Sequence, residues 1–317
     1  MLLKTFRRVS HHSSSVSRTT ARCHAAISHQ PCSHAELYHL TRPSPDIPIL
    51  VNSPHSGTRV PPSFKSSLSR AKLTETEDSY VDELWLKGCK EAGTGLMAAT
   101  FPRWFVDLNR REDDIDPSLL LPDSSSTEDG LVINPGSKTK LGLGLIRRLA
   151  GPGIPIYDQL LSKEEVMHRI KNYFRPYHLA LTHELELLHK MHGRYVLIDA
   201  HSMKSMGNST TPDGARARPD VVVGDLRGKS CDAWLTESLV KSLRSQGLSV
   251  QVNDPYAGAH IMREYGRPIE QRHSIQIELS RRLYMNEESR VIKKADFEKL
   301  SDILAHCLRG LVGWNLS

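Results

Sequence analysis

The chain has 317 residues, enough to bury a sizeable core in one large α/β domain or two smaller ones. With 38% hydrophobic and 25% charged residues, it fits neither wholesale disorder nor a bundle of membrane helices. A net charge of +6 and a pI of about 9.0 suggest a nucleic-acid partner, but Lys4, Arg7, Arg8, Arg18 and Arg22 put five of those charges in residues 1–35.

That stretch holds no acid, and residues 36–317 carry only +1. Wound as a helix, Leu2, Leu3 and Phe6 face one way and Lys4, Arg7 and Arg8 the other. The segment lacks the apolar run of a secretory signal and reads as a transit peptide, with a basic tail as the plainer reading. The expected address is the mitochondrial matrix, with plastid and cytoplasm as alternatives. Ser/Pro-rich sequence continues to TRPSPDIP, so residues 1–46 are read as leader and 47–317 as one folded domain. The cysteines at 23, 32, 89, 231 and 307 are odd in number and form no CxxC, which indicates a reducing compartment and no thiolate-rich metal site. No apolar run in the body is long enough to span a bilayer.

In chain order, short β-branched or apolar runs predict strands over 47–52, 95–99, 104–109, 195–200, 220–224, 248–253 and 274–279. Helices are predicted over 78–91, 162–191, 231–245 and 288–312. Ser162 with Glu165 three residues on forms a capping box. Several strands are apolar almost throughout, as expected when both sheet faces are covered. The alternation predicts a single three-layer α/β/α domain. Loops 111–140 and 202–219 are long for mere connections and are candidates to cover a cleft.

In open α/β sheets functional groups gather beyond the carboxyl ends of strands. The first strand runs into NSPHSG and delivers His55; WFVDLNR delivers Asn109 and Arg110; YVLIDAHS delivers Asp199, His201 and Ser202; SIQIEL carries Glu278. Two histidines and a carboxylate suit Zn²⁺ with a position left for water. A separate carboxylate, Glu278, is placed to move that water's proton to a leaving amine. The plainer reading pairs Glu278 with Arg272 or Arg281. Arg110 suits a substrate carboxylate and Asn109 a further substrate hydrogen bond, although Glu112 or Asp113 could instead pair Arg110. Asp107 and Asp199 are candidate acceptors behind the histidines.

Other patterns carry less. His178, His183, His189 and His192 lack HExxH spacing and read as a solvated face. KTKLGLGLIRR, from Lys138, lacks the order of a phosphate loop, and its glycines read as turn or packing residues. No GxSxG elbow is present. Arg216, Arg218 and Arg227 form a modest basic group that suits guidance of a small anion better than nucleic-acid binding.

The motifs NSPHSG, EDSYVDELW, FPRWFVDLNR, VLIDAHS, RPDVVVGD and HSIQIELSRRLYM, between residues 52 and 285, resemble the N-formylglutamate amidohydrolase family. That family belongs to the wider zinc carboxypeptidase-like and aspartoacylase-like hydrolases. The resemblance implies an α/β/α sandwich around a mixed sheet and a zinc ion held by His55, Asp78 and His201. It also implies Glu278 as the catalytic carboxylate and Arg110 with Asn109 on the substrate. Asp78 is not reached from the strand exits, and Glu77 is its immediate competitor. Relatives of the carboxypeptidase type carry an acidic ligand three residues after the first histidine, where this chain has Thr58. The implied reaction is hydrolysis of N-formyl-L-glutamate to formate and L-glutamate. The implied partner is a small anionic N-acyl amino acid, with no nucleic acid and no membrane. The alternatives are a deacylase or carboxypeptidase-like hydrolase of another N-acyl compound, or a noncatalytic anion- or metal-binding module.

Overall fold

The computed structural model describes residues 37–62, 64–122, 130–209 and 211–315. Residues 1–36, which carry most of the expected leader and the targeting reading placed on it, lie outside them. The elements in chain order are β1 (Tyr38–Thr41), β2 (Ile49–Ser53), α1 (Arg70–Thr74), α2 (Val81–Ala92), β3 (Gly95–Ala99) and α3 (Ser137–Lys140). A small hairpin follows, β4 (Leu149–Gly151) and β5 (Ile154–Pro155), then α4 (Lys163–Arg169), α5 (Arg175–His192), β6 (Tyr195–Met203) and β7 (Val221–Gly224). The chain ends with α6 (Ala233–Ser245), β8 (Val250–Val252), α7 (His260–Tyr265), β9 (Arg272–Ser280) and α8 (Lys294–Asn315).

Seven strands form one mixed sheet in the order β1-β3-β2-β6-β9-β7-β8. The central β3-β2-β6-β9 pairs are parallel, whereas β1 joins β3 and β7 joins β9 antiparallel. β1 precedes the expected start near residue 47: its sequence, YHLT, alternates in burial as an edge strand does and gives no apolar run to read.

Alternation along the strands divides the core in two. Ile49, Val51, Val196, Ile198, Ile275 and Ile277 pack under α2, α6 and α8. Leu50, Met97 and Leu197 pack under α4, α5 and the 101–120 segment. Each fully buried aliphatic side chain contributes about 1.5–3 kcal/mol. These are the three expected layers.

The helix predicted over 162–191 is α4 and α5 joined by one π-helical turn, Ile170–Phe174. Pro176 stands in the first turn of α5 and has no N–H, so the widened turn carries the helix past it. Ser162 caps α4 by accepting from Glu165 N, while the Glu165 side chain pairs with Arg169 instead of completing the box.

The strand predicted over 104–109 does not form. Trp104, Phe105, Val106 and Leu108 are fully buried, but in turns beneath α4 and α5. The backbone groups are satisfied without a ladder: Arg169 donates to Phe105 O (3.0 Å), Asp107 N to Leu145 O (2.8 Å), and His178 Nε2 to Leu108 O (2.9 Å). His178 is therefore half-buried and bonded to Leu108 O and Tyr265 Oη, not part of a solvated face; burial and neighbouring His260 pull it down to about 3.

Among the described residues no helix is long and apolar enough to cross a membrane. Cys89, Cys231 and Cys307 are free and buried.

Candidate active site

β2 ends at Ser53, and the following turn carries His55. Its carbonyl accepts from Asp78 N (3.1 Å), which clips the turn to the entry of α2. Gly57 completes the turn where backbone meets backbone: a Cβ there would lie 2.5 Å from Phe101 O. β6 delivers Asp199 and His201 on one face of the sheet. In β9, Glu278 is the register partner of His201.

His55 Nδ1, His201 Nδ1 and Asp78 Oδ2 converge, with separations of 3.1, 3.0 and 3.2 Å. Each imidazole turns its other nitrogen to a buried carboxylate: His55 Nε2 to Asp107 Oδ1 (2.7 Å) and His201 Nε2 to Asp199 Oδ2 (2.8 Å). In neutral imidazole those nitrogens carry the hydrogens, so both Nδ1 lone pairs and a carboxylate oxygen aim at a single point. Donors ~2.0–2.1 Å from a tetrahedral centre lie about 3.3 Å apart, close to what is seen here. The group fits a metal ion and is buried throughout.

Glu77, the competing carboxylate, points away: it accepts from Trp104 Nε1 (2.8 Å) and pairs with Arg70. Asp78 is held by its other oxygen, which accepts from Ser202 Oγ and Arg281 Nη2, both at 3.2 Å. Against the desolvation that burial imposes, the close contacts with His201 and His55 and the nearby Arg103 charge hold Asp78 well below the usual carboxylate range. Burial pulls His55 down, assisted by Arg103. At His201 burial acts in the same direction, but Asp199 and Asp78 outweigh it and raise the group well above an ordinary histidine.

Glu278 has neither arginine that could explain it away. Arg272 pairs with Glu186 and Glu270, and Arg281 with Asp78. Among the described residues its one hydrogen bond comes from Gln276 Nε2 (3.0 Å). Burial pushes it up to about 7; the neighbouring His201 opposes the rise and the Asp78 charge adds to it.

Asn109 lines the cleft and also bonds within the site. Its Nδ2 donates to Asp199 Oδ2 (3.0 Å) and its Oδ1 accepts from Ile261 N (2.9 Å), so it steadies the carboxylate behind His201. Asn52, held by Tyr177 Oη, supports the other oxygen of Asp199 (3.1 Å). Arg110 lines the cleft as well. Its Nε and Nη1 are spent on the carbonyls of Leu143 and Asn109, neither Glu112 nor Asp113 pairs with it, and its Nη2 has no hydrogen-bond partner among the described residues.

The cleft has a volume of about 380 Å³ and is lined by His55, Asp78, His201 and Glu278 together with Arg103, Arg110, Lys138 and Arg147. Both long loops contribute to it, through Lys138 and through Lys204, Met206 and Arg218. Lys138 and Arg147 come from the KTKLGLGLIRR segment, which sequence motifs alone assign no such place.

The three-layer fold and a half-buried carboxyl beside a buried His–Asp–His group define a hydrolase of the α/β/α sandwich class. The profile of the N-formylglutamate amidohydrolase family matches residues 47–285, and the chain belongs to that family. It is 30% identical over 274 residues to N-formylglutamate deformylase of Pseudomonas aeruginosa, covering 84% of this chain and 94% of that protein. The Pseudomonas putida deformylase is 29% identical over 273 residues, covering 84% and 93%. The crystal structure of N-formylglutamate amidohydrolase from Ralstonia eutropha JMP134 superposes with a TM-score of 0.79 at 35% identity, covering 88% of this chain and 98% of that one. A gene product of Agrobacterium tumefaciens shares the fold, with a TM-score of 0.61 at 16% identity.

Proposed function

We propose that the chain hydrolyses the formamide bond of N-formyl-L-glutamate to formate and L-glutamate, with zinc as the ion at His55, Asp78 and His201. The carrying observation is the register pairing of His201 with Glu278, which sets a carboxyl with no ion-pair partner among the described residues beside the ligand group. The family and the named activities of the Pseudomonas relatives support the substrate. When bound, the ion supplies Lewis acidity, making water a nucleophile near neutral pH and polarising the formyl carbonyl.

The chain's own residues do the rest. Glu278 accepts a proton from the attacking water and returns it to the amine nitrogen as the C–N bond breaks. Asp107 and Asp199 hold the imidazoles in one tautomer and orientation. Arg110 takes a substrate carboxylate through the part of its guanidinium that the protein leaves unbonded.

Steady-state rates on N-formyl-L-glutamate, N-acetyl-L-glutamate and a glutamyl dipeptide test this reading. The formyl compound is expected to be turned over fastest, and preference for either of the others refutes the assignment. The acid-free stretch over residues 1–35 supports delivery to mitochondria; a reporter carrying residues 1–46 that stays in the cytosol counts against it.

A further inference from the structure

Although KTKLGLGLIRR has no phosphate-loop order, the fold brings both its ends to the cleft. Asp114 organises it: Gly136 N donates to Asp114 Oδ1 (2.6 Å), Thr139 Oγ1 hydrogen-bonds the same carboxylate, and Leu145 N donates to Asp114 O (2.8 Å). Gly144 sits where a Cβ would lie 2.6 Å from both Asp114 O and Thr139 Oγ1, so the close fold-back needs glycine. Leu145 O then receives Asp107 N, and Leu143 O receives Arg110 Nε. Lys138 and Arg147 are thereby placed on the same cleft as Arg110.

The cations of this wall outnumber their partners. Arg103 spends Nε and Nη2 on Asp107 and stands 3.8 Å from Asp78. Arg147 reaches Asp107 with Nε alone (3.3 Å), and its two terminal nitrogens have no partner among the described residues. Lys138 has neither a hydrogen bond nor an ion pair among them. Desolvated charge without a partner is costly, and a fork beside an ammonium is an arrangement suited to a carboxylate.

We propose that Lys138 and Arg147 form a second carboxylate subsite beside Arg110, so that the cleft selects N-acyl amino acids bearing two carboxylates and seats the side-chain carboxylate on Lys138 and Arg147. The inference rests on the amide-hydrolase reading of the same site and deepens it. Burial, with Arg110, Arg147 and Arg103 close by, pulls Lys138 down to about 8, as expected of an ammonium crowded by other cations. An anion bound there relieves that crowding.

The test compares kcat and KM for N-formyl-L-glutamate, N-formyl-L-glutamine and N-formyl-4-aminobutanoate. Glutamine removes the side-chain charge, and aminobutanoate removes the α-carboxylate. For K138M the expected result is a rise in KM of ~10–100-fold on the glutamate and aminobutanoate compounds, the size of a lost charge-assisted hydrogen bond. On the glutamine compound KM shifts by less than about threefold, so the selectivity ratio collapses. K138R restores most of it. R147M behaves in the same way, but Arg147 also supports Asp107; K138M removes a group that bonds no other residue and so carries the test if R147M fails to fold. An equal loss on the glutamate and glutamine compounds, or no loss on either, overturns the subsite.

Calorimetric binding of glutarate separates this from failure of the hydrolase reading. Binding that weakens ~10-fold in K138M supports the subsite even if no amide is cleaved, and binding that K138M leaves unchanged refutes it.

Discussion

His201 and Glu278 are register partners on the adjacent parallel strands β6 and β9, so their side chains leave the same face of the sheet next to each other. One of them belongs to the buried ligand group and the other is a carboxyl without an ion-pair partner among the described residues. The sheet itself fixes this spacing, which is why a single conservative change there isolates proton transfer from binding. Glu278→Gln keeps the shape and the bond to Gln276 but cannot carry a proton. We expect kcat to fall by ~10²–10⁴-fold, with metal content and thermal midpoint retained. Metal content and kcat are measured on the same preparation; a loss of less than tenfold removes Glu278 from the reaction.

Asp199 makes a prediction about affinity in place of rate. It accepts from His201 Nε2 and is itself held by Asn52 and Asn109. Asp199→Asn turns an obligate acceptor into a group that can donate, which loosens the tautomer of His201. Metal affinity is expected to weaken ~10–100-fold. Competition against a chromophoric chelator measures it, and an unchanged dissociation constant contradicts the role given to Asp199.

Lys138 gives a pH dependence. Its ammonium titrates near 8 in the free protein, below an ordinary lysine, so the cation needed for a carboxylate is present at neutral pH and lost as pH rises past 8. A bound anion raises the value again. Glutarate affinity is thus expected to fall above about pH 8 in the wild type and to stay level to higher pH in Lys138→Arg, whose guanidinium keeps its proton. Titration calorimetry across pH 6.5–9.5 decides; superimposable profiles for the two proteins exclude Lys138 as the titrating group.

His178 gives a second, on stability. It is neutral when folded, with a value near 3, and an unfolded histidine titrates near 6.5. Between these the unfolded chain binds the extra proton, so this contribution to stability is full above 6.5 and is lost as pH falls through 3. His178→Gln is expected to lower the urea midpoint at pH 7 and to flatten its decline towards pH 4. A decline as steep as that of the wild type assigns the acid sensitivity elsewhere.

Much of the site is legible in the sequence because the groups that form it leave strands with unmistakable apolar runs. ILVNS and YVLIDAHSM announce themselves, and His55, Asp199 and His201 follow by position. Glu278 is legible for a related reason: a carboxylate inside SIQIEL has to be either paired or useful. Other parts are hidden by tertiary structure. WFVDLN has the composition of a strand, yet its backbone is satisfied by Arg169, His178 and Leu145, none of them near in sequence. Asp78 reaches the histidines only because its N–H is clipped to His55 O, a contact across 23 residues that no local pattern encodes. Lys138 and Arg147 stand in a segment without a catalytic motif, and the Asp114 hub that folds it back is visible only in three dimensions. Asn109 is placed at the site by the sequence but aimed at Asp199 by the fold.

The central claim is that a metal ion at His55, Asp78 and His201, served by Glu278, cleaves the formamide of N-formyl-L-glutamate. It is tested most directly by following formate and L-glutamate release while zinc is titrated into metal-free protein. The account predicts that the two products appear in equal amounts, that the rate climbs to a plateau at one equivalent of metal, and that chelation abolishes it reversibly. Folded protein that binds one equivalent of zinc and releases neither product contradicts the account.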